Sequence, residues 1–288
     1  MTLLQVQQES QRFEHAEKKL IFFALHCAVH RTPCRGGGGL TTVELIVMIR
    51  LMSLLFMALV MAFPVQGRSM TVDIPSIRKN ISVFTQFPEL SNRINPQVLR
   101  MALIGYYSLK EQGKVSRDGI LTVIDFNRPS VDERLFVIDI NRGRLLYSGL
   151  VAHGRGSGDN YAQSFSNAPG SHQSSLGFYT TGNTYDGKHG YSLRLLGLER
   201  GINDNAESRS IVIHGADYVS YDFIRKHGRL GRSEGCPALS FESFQQVINM
   251  IKGGSCLFIY HGGRDYVSNS TFIKSVILRR QAVSEHVS

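Results

Sequence analysis

A histidine and a cysteine in the second half of the chain have the chemistry for acyl transfer. Residues 210–215 form an apolar run that ends in His214 and Gly215, and 21 further residues separate that histidine from Cys236. The thiolate is the nucleophilic form of cysteine, but an ordinary cysteine has a pKa of about 8.5 and needs a base at neutral pH. An imidazole held at the end of a rigid strand accepts that proton. We therefore predict Cys236 as the nucleophile and His214 as its general base.

The residues that precede Cys236 fit a nucleophile turn. Gly235 permits a positive φ or a close approach of the main chain to a ligand. The backbone N–H groups at residues 235 and 236 suit an oxyanion hole. Arg232 favours the thiolate and is able to bind a substrate carboxylate through two parallel hydrogen bonds. Taken alone, a single cysteine and a single histidine are also compatible with a buried structural thiol and a core histidine, and the residue chemistry leaves that alternative open.

The segments around these two residues predict one mainly β domain with a few helices. Apolar and β-branched runs indicate strands, and Gly143 at the end of a three-residue turn indicates a hairpin between the second and third of them. Residues 153–176 are rich in Gly, Ser and Asn and predict a long loop, and a loop of that length in a compact domain is usually functional. The predicted strands are residues 121–126, 135–140, 145–151, 177–181, 192–198, 210–214 and 256–260.

Two helices are predicted from capping residues and apolar spacing. Asn95 is a helix N-cap followed by Pro96 at the first helical position, and apolar residues then recur at helical spacing up to Gly113. A second helix is predicted at residues 241–251, with Ser240 as its N-cap. The strands do not alternate with helices, so a βαβ architecture is not expected.

The front of the chain predicts export. Arg50 precedes an apolar run at residues 51–63, and Gly67 offers a cleavage point, which together indicate a signal peptide at residues 48–67. The 13-residue run is short beside the roughly 20 residues of a membrane span. An uncleaved anchor is the alternative, because the apolar character extends back to residue 45. Residues 1–47 are then an upstream extension that is not structured. We expect a protein of the periplasm or cell wall without a lasting membrane span.

Composition limits the partners of the chain. The 32 Lys and Arg residues exceed the 23 Asp and Glu residues, giving a formal charge of +9. In an exported protein such a charge suits a polyanionic surface such as a cell wall, although it is also compatible with solubility alone. The chain has no basic run or basic–aromatic alternation, so no nucleic-acid partner is expected. It has no CxxC pair, and we predict no metal site and no cofactor.

The motifs around the two reactive residues resemble a known family. His-Gly followed after a spacer by Arg-x-Ser-x-Gly-Cys is similar to the active-site motif of the L,D-transpeptidase catalytic domain (YkuD-type). Pro237 and Ala238 extend the similarity to the murein subfamily that carries Gly-Cys-Pro-Ala. The resemblance covers roughly residues 119–260. The compared segments are residues 122–126, 151–158, 165–167, 174–179, 185–195 and 228–239.

The resemblance implies a fold and a division of the chain. The expected fold is an L,D-transpeptidase-like β-sandwich catalytic domain at residues 119–262. A short helical extension and linker would precede it at residues 68–118, and a polar, loosely attached tail would follow at residues 263–288.

The resemblance also implies a reaction. Cys236 would attack the carbonyl of the third residue of a peptidoglycan tetrapeptide stem, usually diaminopimelate, and release the terminal D-alanine. The thioester would pass to an amine of another stem, giving a 3→3 crosslink, or to water, as in an L,D-carboxypeptidase. His214 would be the base, oriented by a backbone carbonyl, while Ser233 and Gly235 would shape the turn. A non-catalytic wall-binding module is the alternative from another class. A general cysteine protease would need a later Asn or Asp to orient the histidine, and the sequence offers no clear candidate.

Two positions depart from the family pattern and affect substrate recognition. Glu234 stands where the commoner motif has a histidine, and Ala238 stands where an arginine is common. The role of that arginine in binding a substrate carboxylate is therefore assigned to Arg232 or Arg194.

Gly215 and His153 are predicted to complete the substrate site, with a loop hydrogen bond as the alternative role for His153. We expect His189 to have a structural or rim role and Cys256 to be a core residue. A Cys236–Cys256 disulfide, which would abolish the nucleophile, is the alternative for that pair.

Overall fold

The computed structural model describes residues 46–47, 50 and 88–274. The upstream extension predicted at residues 1–47 and the signal peptide predicted at residues 48–67 lie outside this range, except for Ile46, Val47 and Arg50. Within the described residues, no helix combines the length and the apolar character that a membrane crossing requires.

Helix α2 (Pro96–Glu111) follows the short helix α1 (Pro88–Ser91) and begins as its capping residues predict. The Asn95 side chain accepts a hydrogen bond from the Gln97 N–H at 2.9 Å, and Pro96 occupies the first turn, where its missing N–H is not needed. The five apolar residues of the predicted helical stripe are all buried against the sheet. They are Val98, Leu99, Ala102, Leu103 and Tyr106.

The strands of the described residues are β1 (Ile120–Asp125), β2 (Leu135–Asp139), β3 (Arg144–Gly149), β4 (Val151–Ala152), β5 (Gly177–Gly187), β6 (Gly190–Gly197), β7 (Val212–Ala216), β8 (Ala238–Ser240) and β9 (Cys256–Tyr260). These nine strands are hydrogen-bonded in one continuous order, β3-β2-β1-β9-β5-β6-β7-β8-β4. The pairs β1–β9 and β7–β8 are parallel, and the other pairs are antiparallel. The mainly β class with few helices is thus confirmed.

The two edges of this sheet meet. Strands β3 and β4 lie at opposite ends of the strand order, yet only Leu150 separates them in sequence, so the sheet curls around on itself. The fully buried Arg134 binds both sides of the junction, since its N–H donates to the Gly149 carbonyl at 3.1 Å and its guanidinium donates twice to the Val151 carbonyl. The predicted strand at residues 145–151 is therefore two strands, because the chain leaves one edge at Leu150 and joins the other.

Helix α3 (Tyr221–His227) and strand β8 were not predicted from the sequence. Helix α3 has no buried residue, so it carries no apolar periodicity, although Ser220 caps it by accepting the Phe223 N–H at 3.1 Å. Strand β8 has only three residues and no alternation of its own. Helix α4 (Phe244–Ile251) begins three residues later than expected.

The first part of the predicted C-terminal tail packs against the domain, so it is not loosely attached. Helix α5 (Arg264–Asn269) follows β9 directly, and Tyr266, Phe272 and Ile273 are buried. The Tyr266 hydroxyl donates to the carboxylate of Glu199 at 3.0 Å, and this carboxylate is itself buried. A buried carboxylate needs hydrogen-bond donors. This contact therefore anchors the segment after β9 to the core.

Candidate active site

Strands β7 and β8 bring the predicted base and nucleophile to one place. They run parallel with His214 paired to Ala238, and Cys236 lies two residues before Ala238. The Cys236 sulfur accepts the Val212 N–H at 3.4 Å, and the thiol donates to the Ser210 carbonyl at 3.6 Å. The thiol is thereby fixed against the start of the strand that carries the histidine.

The His214 ring is held in one tautomer. It is almost completely buried, and its Nδ1 lies 3.0 Å from the Gly215 carbonyl oxygen. A carbonyl only accepts hydrogen bonds, so Nδ1 carries the proton and Nε2 is the basic nitrogen. Burial lowers the pKa of His214, the Gly215 hydrogen bond opposes this, and His189, stacked on the ring at 4.4 Å, lowers the pKa further. The imidazole is therefore neutral and ready to accept a proton at neutral pH.

Cys236 is half-buried and is held as a neutral thiol. Burial raises the pKa of Cys236, the Val212 N–H and Arg209 lower it, and Glu234 raises it. The Cys236 thiol and the His214 imidazole are therefore both uncharged at neutral pH. Cys236 and Cys256 are both free thiols, and Cys256 lies in the core as predicted.

The turn before Cys236 is fixed from both sides. Gly235 has the positive φ that the sequence led us to expect, +127°. The Ser233 Oγ accepts the Gly235 N–H at 3.1 Å and donates to the Cys236 carbonyl at 2.6 Å. On the other side, the Ser174 Oγ donates to the Gly235 carbonyl at 3.1 Å and accepts the Gly154 N–H at 3.0 Å. The Gly235 N–H is thus occupied, whereas the Cys236 N–H has no acceptor among the described residues.

A family model for the L,D-transpeptidase catalytic domain matches residues 90–260, which is more than half of the chain. The chain belongs to this family. The match begins at residue 90 rather than near residue 119, so the family's domain includes helix α2, which the sequence alone assigned to an extension.

Several solved structures are similar to this chain at low sequence identity. They include an L,D-transpeptidase from Mycobacterium smegmatis (15% identity, 50% of this chain and 59% of that one, TM-score 0.31). Another is from Mycobacterium tuberculosis H37Rv (16%, 50% and 58%, TM-score 0.30). A variant of the helical cell shape determining protein Pgp2 from Campylobacter jejuni is a third (14%, 60% and 59%, TM-score 0.35). The chain thus spans less than two thirds of each of these proteins. No curated protein sequence matches it.

The alanine that departs from the family pattern lies in an apolar environment. Ala238 is fully buried in a small cluster beside β7. An arginine at this position would have to place a charge in that cluster, so its replacement by alanine is consistent with the local packing. The other members of the cluster are Leu150, Ala152, Ala216, Val219 and Leu230.

In this L,D-transpeptidase domain, neither arginine predicted to bind substrate is directed by a hydrogen bond toward Cys236. The Arg232 Nη1 pairs with Asp159 at 2.7 Å and donates to the Gly158 carbonyl at 3.2 Å. Arg194 is exposed on β6, and its guanidinium lies 4.5 Å from the centre of the Tyr185 ring. Arg232 therefore binds the loop around residue 158, and Arg194 packs on the β5–β6 hairpin.

The two other residues predicted to contact substrate lie inside the fold. His153 is fully buried, its Nδ1 accepts from Arg134 at 2.8 Å, and burial together with Arg134 lowers its pKa to about 4. It therefore has no exposed surface for a substrate, and the alternative of a structural hydrogen bond describes it better. Gly215 packs beneath Phe241 and Phe244, where a Cβ would come within 2.9 Å of either ring. Its contribution is the carbonyl that orients the His214 imidazole.

The sequence did not identify Arg209, a cation whose charge acts on the Cys236 thiol. Its guanidinium donates to the Ser166 carbonyl at 2.7 Å and to the Gln173 carbonyl at 2.6 Å, and its charge lowers the pKa of Cys236. Arg209 therefore holds the Gly- and Ser-rich loop at residues 153–176 by hydrogen bonds and acts on Cys236 through its charge. The one signal in the sequence was its position directly before the predicted strand at residues 210–214.

Proposed function

We propose that this protein is an exported cysteine acyltransferase that acts on peptidoglycan tetrapeptide stems. The observation that carries the proposal is the His214–Cys236 pair, in which a carbonyl fixes the histidine tautomer and leaves Nε2 as the base. Family membership supports the substrate class, and the residues around the pair support acyl transfer by sulfur. The proposed location is the periplasm or cell wall.

The reaction follows from the protonation states of the pair. The His214 Nε2 takes the thiol proton as the Cys236 sulfur attacks the carbonyl carbon between the third stem residue and D-alanine. The C–N bond then breaks, His214 returns the proton to the departing amine, and a thioester remains. An amine of a second stem, or water, attacks this thioester and regenerates the thiol.

The free Cys236 N–H is the proposed oxyanion donor. The carbonyl oxygen of the substrate becomes negative during attack, and a backbone N–H that has no other acceptor stabilises it without reorganisation. Because Ser233 already binds the Gly235 N–H, the proposed oxyanion hole relies on residue 236 rather than on residue 235.

Intact-mass spectrometry of the full chain with tetrapeptide-stem muropeptides tests this function. We expect a tripeptide-sized adduct on Cys236 together with free D-alanine. Crosslinked soluble products would indicate transpeptidation, and tripeptide stems alone would indicate carboxypeptidation. If a demonstrably free thiol gave neither adduct nor turnover, the enzyme proposal would fail and a wall-binding module would replace it.

The pH dependence of turnover should reflect the lowered pKa of His214. A protonated imidazole cannot accept the thiol proton, so the rate of D-alanine release falls as the pH drops through the pKa of His214. Burial places this pKa below the ordinary value of about 6.5, so the midpoint of the acid limb should lie below about pH 6.5. The measurement is kcat/KM against pH, with circular dichroism at each pH to detect acid unfolding.

His189→Phe supplies the matched variant for this profile. Phenylalanine keeps a ring stacked on His214 but removes the interaction with His189 that lowers the His214 pKa, so the acid limb should move to higher pH. An acid limb centred above about pH 7 in the unmodified protein would contradict the buried, neutral base.

A further inference from the structure

The arginines around the nucleophile turn differ in how many of their N–H donors the protein already uses. Arg209 donates to four acceptors in the loop at residues 166–175, and Arg232 is bound to Asp159 and Gly158. Arg194 lies over a tyrosine ring without a hydrogen bond to orient it in the described part of the chain. By these contacts, none of the three arginines is both oriented by the protein and free to bind a substrate carboxylate.

Arg155 is oriented by the protein and still has free donors. Its Nε lies 2.9 Å and 3.0 Å from the two carboxylate oxygens of Glu234, whereas neither Nη1 nor Nη2 binds an acceptor among the described residues. The His172 Nδ1 contacts the same carboxylate. The Arg155 side chain is 52% exposed. A guanidinium held through Nε keeps its two terminal nitrogens available for a second, bidentate partner.

The main chain of Arg155 is bound to the nucleophile turn. Its N–H donates to the Ser233 carbonyl at 2.7 Å, and Gly154 forms a parallel bridge with the same serine. A Cβ on Gly154 would lie 2.8 Å from the Gly235 Cα, so only glycine permits this approach. The guanidinium is thus carried by backbone that is fixed against the residues leading to Cys236.

We propose that Arg155 binds a carboxylate of the stem peptide and that Glu234 positions it. The inference rests on the proposed function and names the specificity residue of that site. It accounts for both departures from the family pattern, because Glu234 orients a new arginine while Ala238 removes the usual one. A planar guanidinium fork matches a carboxylate better than a lysine does. The two residues that flank the scissile bond each offer such a group, the C-terminal carboxylate of D-alanine and the side-chain carboxylate of diaminopimelate.

Binding to the catalytically inactive Cys236→Ala protein tests the assignment without turnover. Calorimetry with a free tetrapeptide stem should show that adding Arg155→Met weakens binding about 30-fold, since one charge-assisted pair is lost. Arg155→Lys should recover part of that loss. Arg142→Met, which removes the ion pair between an exposed arginine and Asp139 at the β2–β3 turn, is the control and should not change the affinity.

Two ligand variants identify the carboxylate. One carries a C-terminal amide on D-alanine, and the other carries lysine in place of diaminopimelate. For the ligand that lacks the anchored carboxylate, the affinity should already be about 30-fold lower and Arg155→Met should cause no further loss.

Four results would overturn the proposal. They are an absence of measurable binding, an unchanged affinity in Arg155→Met, an equal loss on all three ligands, and carboxylate dependence that disappears with Arg194→Met instead. The proposed function fails separately, if the unmodified protein forms no adduct, because the binding assay does not depend on turnover.

Discussion

Replacement of Cys236 by alanine is expected to lower the rate of D-alanine release by at least about 10⁴-fold, because it removes the sulfur that forms the thioester. The described part of the chain has one other free thiol, Cys256, and it is fully buried in β9. The expected loss appears in kcat, since alanine leaves the surrounding turn and its hydrogen bonds to Ser233 intact. The measurement is single-turnover D-alanine release by the two proteins at equal concentration.

Cys256→Ala is the matched control for this prediction. It makes the same chemical change at a core position of β9, where the missing sulfur leaves a small cavity. We expect a lower free energy of unfolding, by about 1 kcal/mol, and an unchanged turnover number. If Cys236→Ala retained more than a small fraction of activity, or if Cys256→Ala abolished it, the assignment of the nucleophile would be wrong.

Arg134→Met is expected to lower the free energy of unfolding by about 3 kcal/mol or more. The Arg134 guanidinium is fully buried and donates to the Val151 carbonyl at 3.0 Å and 2.8 Å, to the Arg128 carbonyl at 3.0 Å and to the His153 Nδ1 at 2.8 Å. Methionine fills much of the volume but leaves these buried acceptors without their donor. The loss also weakens the junction between β3 and β4, which closes the sheet.

Urea unfolding followed by circular dichroism measures this loss. Arg225→Met, which removes the ion pair between the exposed side chains of Arg225 and Asp222 in α3, is the control and should change stability by less than about 1 kcal/mol. If Arg134→Met were as mild as the control, the guanidinium would not hold the junction. Arg134→Lys keeps the charge but not the fork, and it should give an intermediate loss.

Local signals predicted much of the fold because their physical causes are local. Asn95 and Pro96 cap a helix through atoms within two residues of each other. Strand β9 has the bounds that the sequence predicted, Cys256–Tyr260, because a short apolar run between glycines has no other stable arrangement in a β domain. Strand β8 and helix α3 were missed because a three-residue strand and a short helix without a fully buried residue carry no periodic pattern.

In the candidate site, too, the sequence predicted some features and not others. The residue types and glycines around His214 and Cys236 were sufficient to propose the reacting pair, since nucleophile and base are recognised by their chemistry. The partners of the arginines could not be predicted, because a long, charged side chain binds whatever acceptors the fold brings within reach. Arg209 reaches carbonyls 36 and 43 residues away in sequence, and Arg155 pairs with Glu234 across 79 residues.

The sequence by itself determined the family, the mainly β class and the residues proposed to carry the reaction. Only the tertiary structure decided that His153 is buried, that Arg232 is bound to Asp159, and that the chain switches sheet edges at Leu150. The physical reason is that burial and ion pairing depend on which distant segments meet. That meeting is set by the closure of the sheet, which no local run of residues encodes.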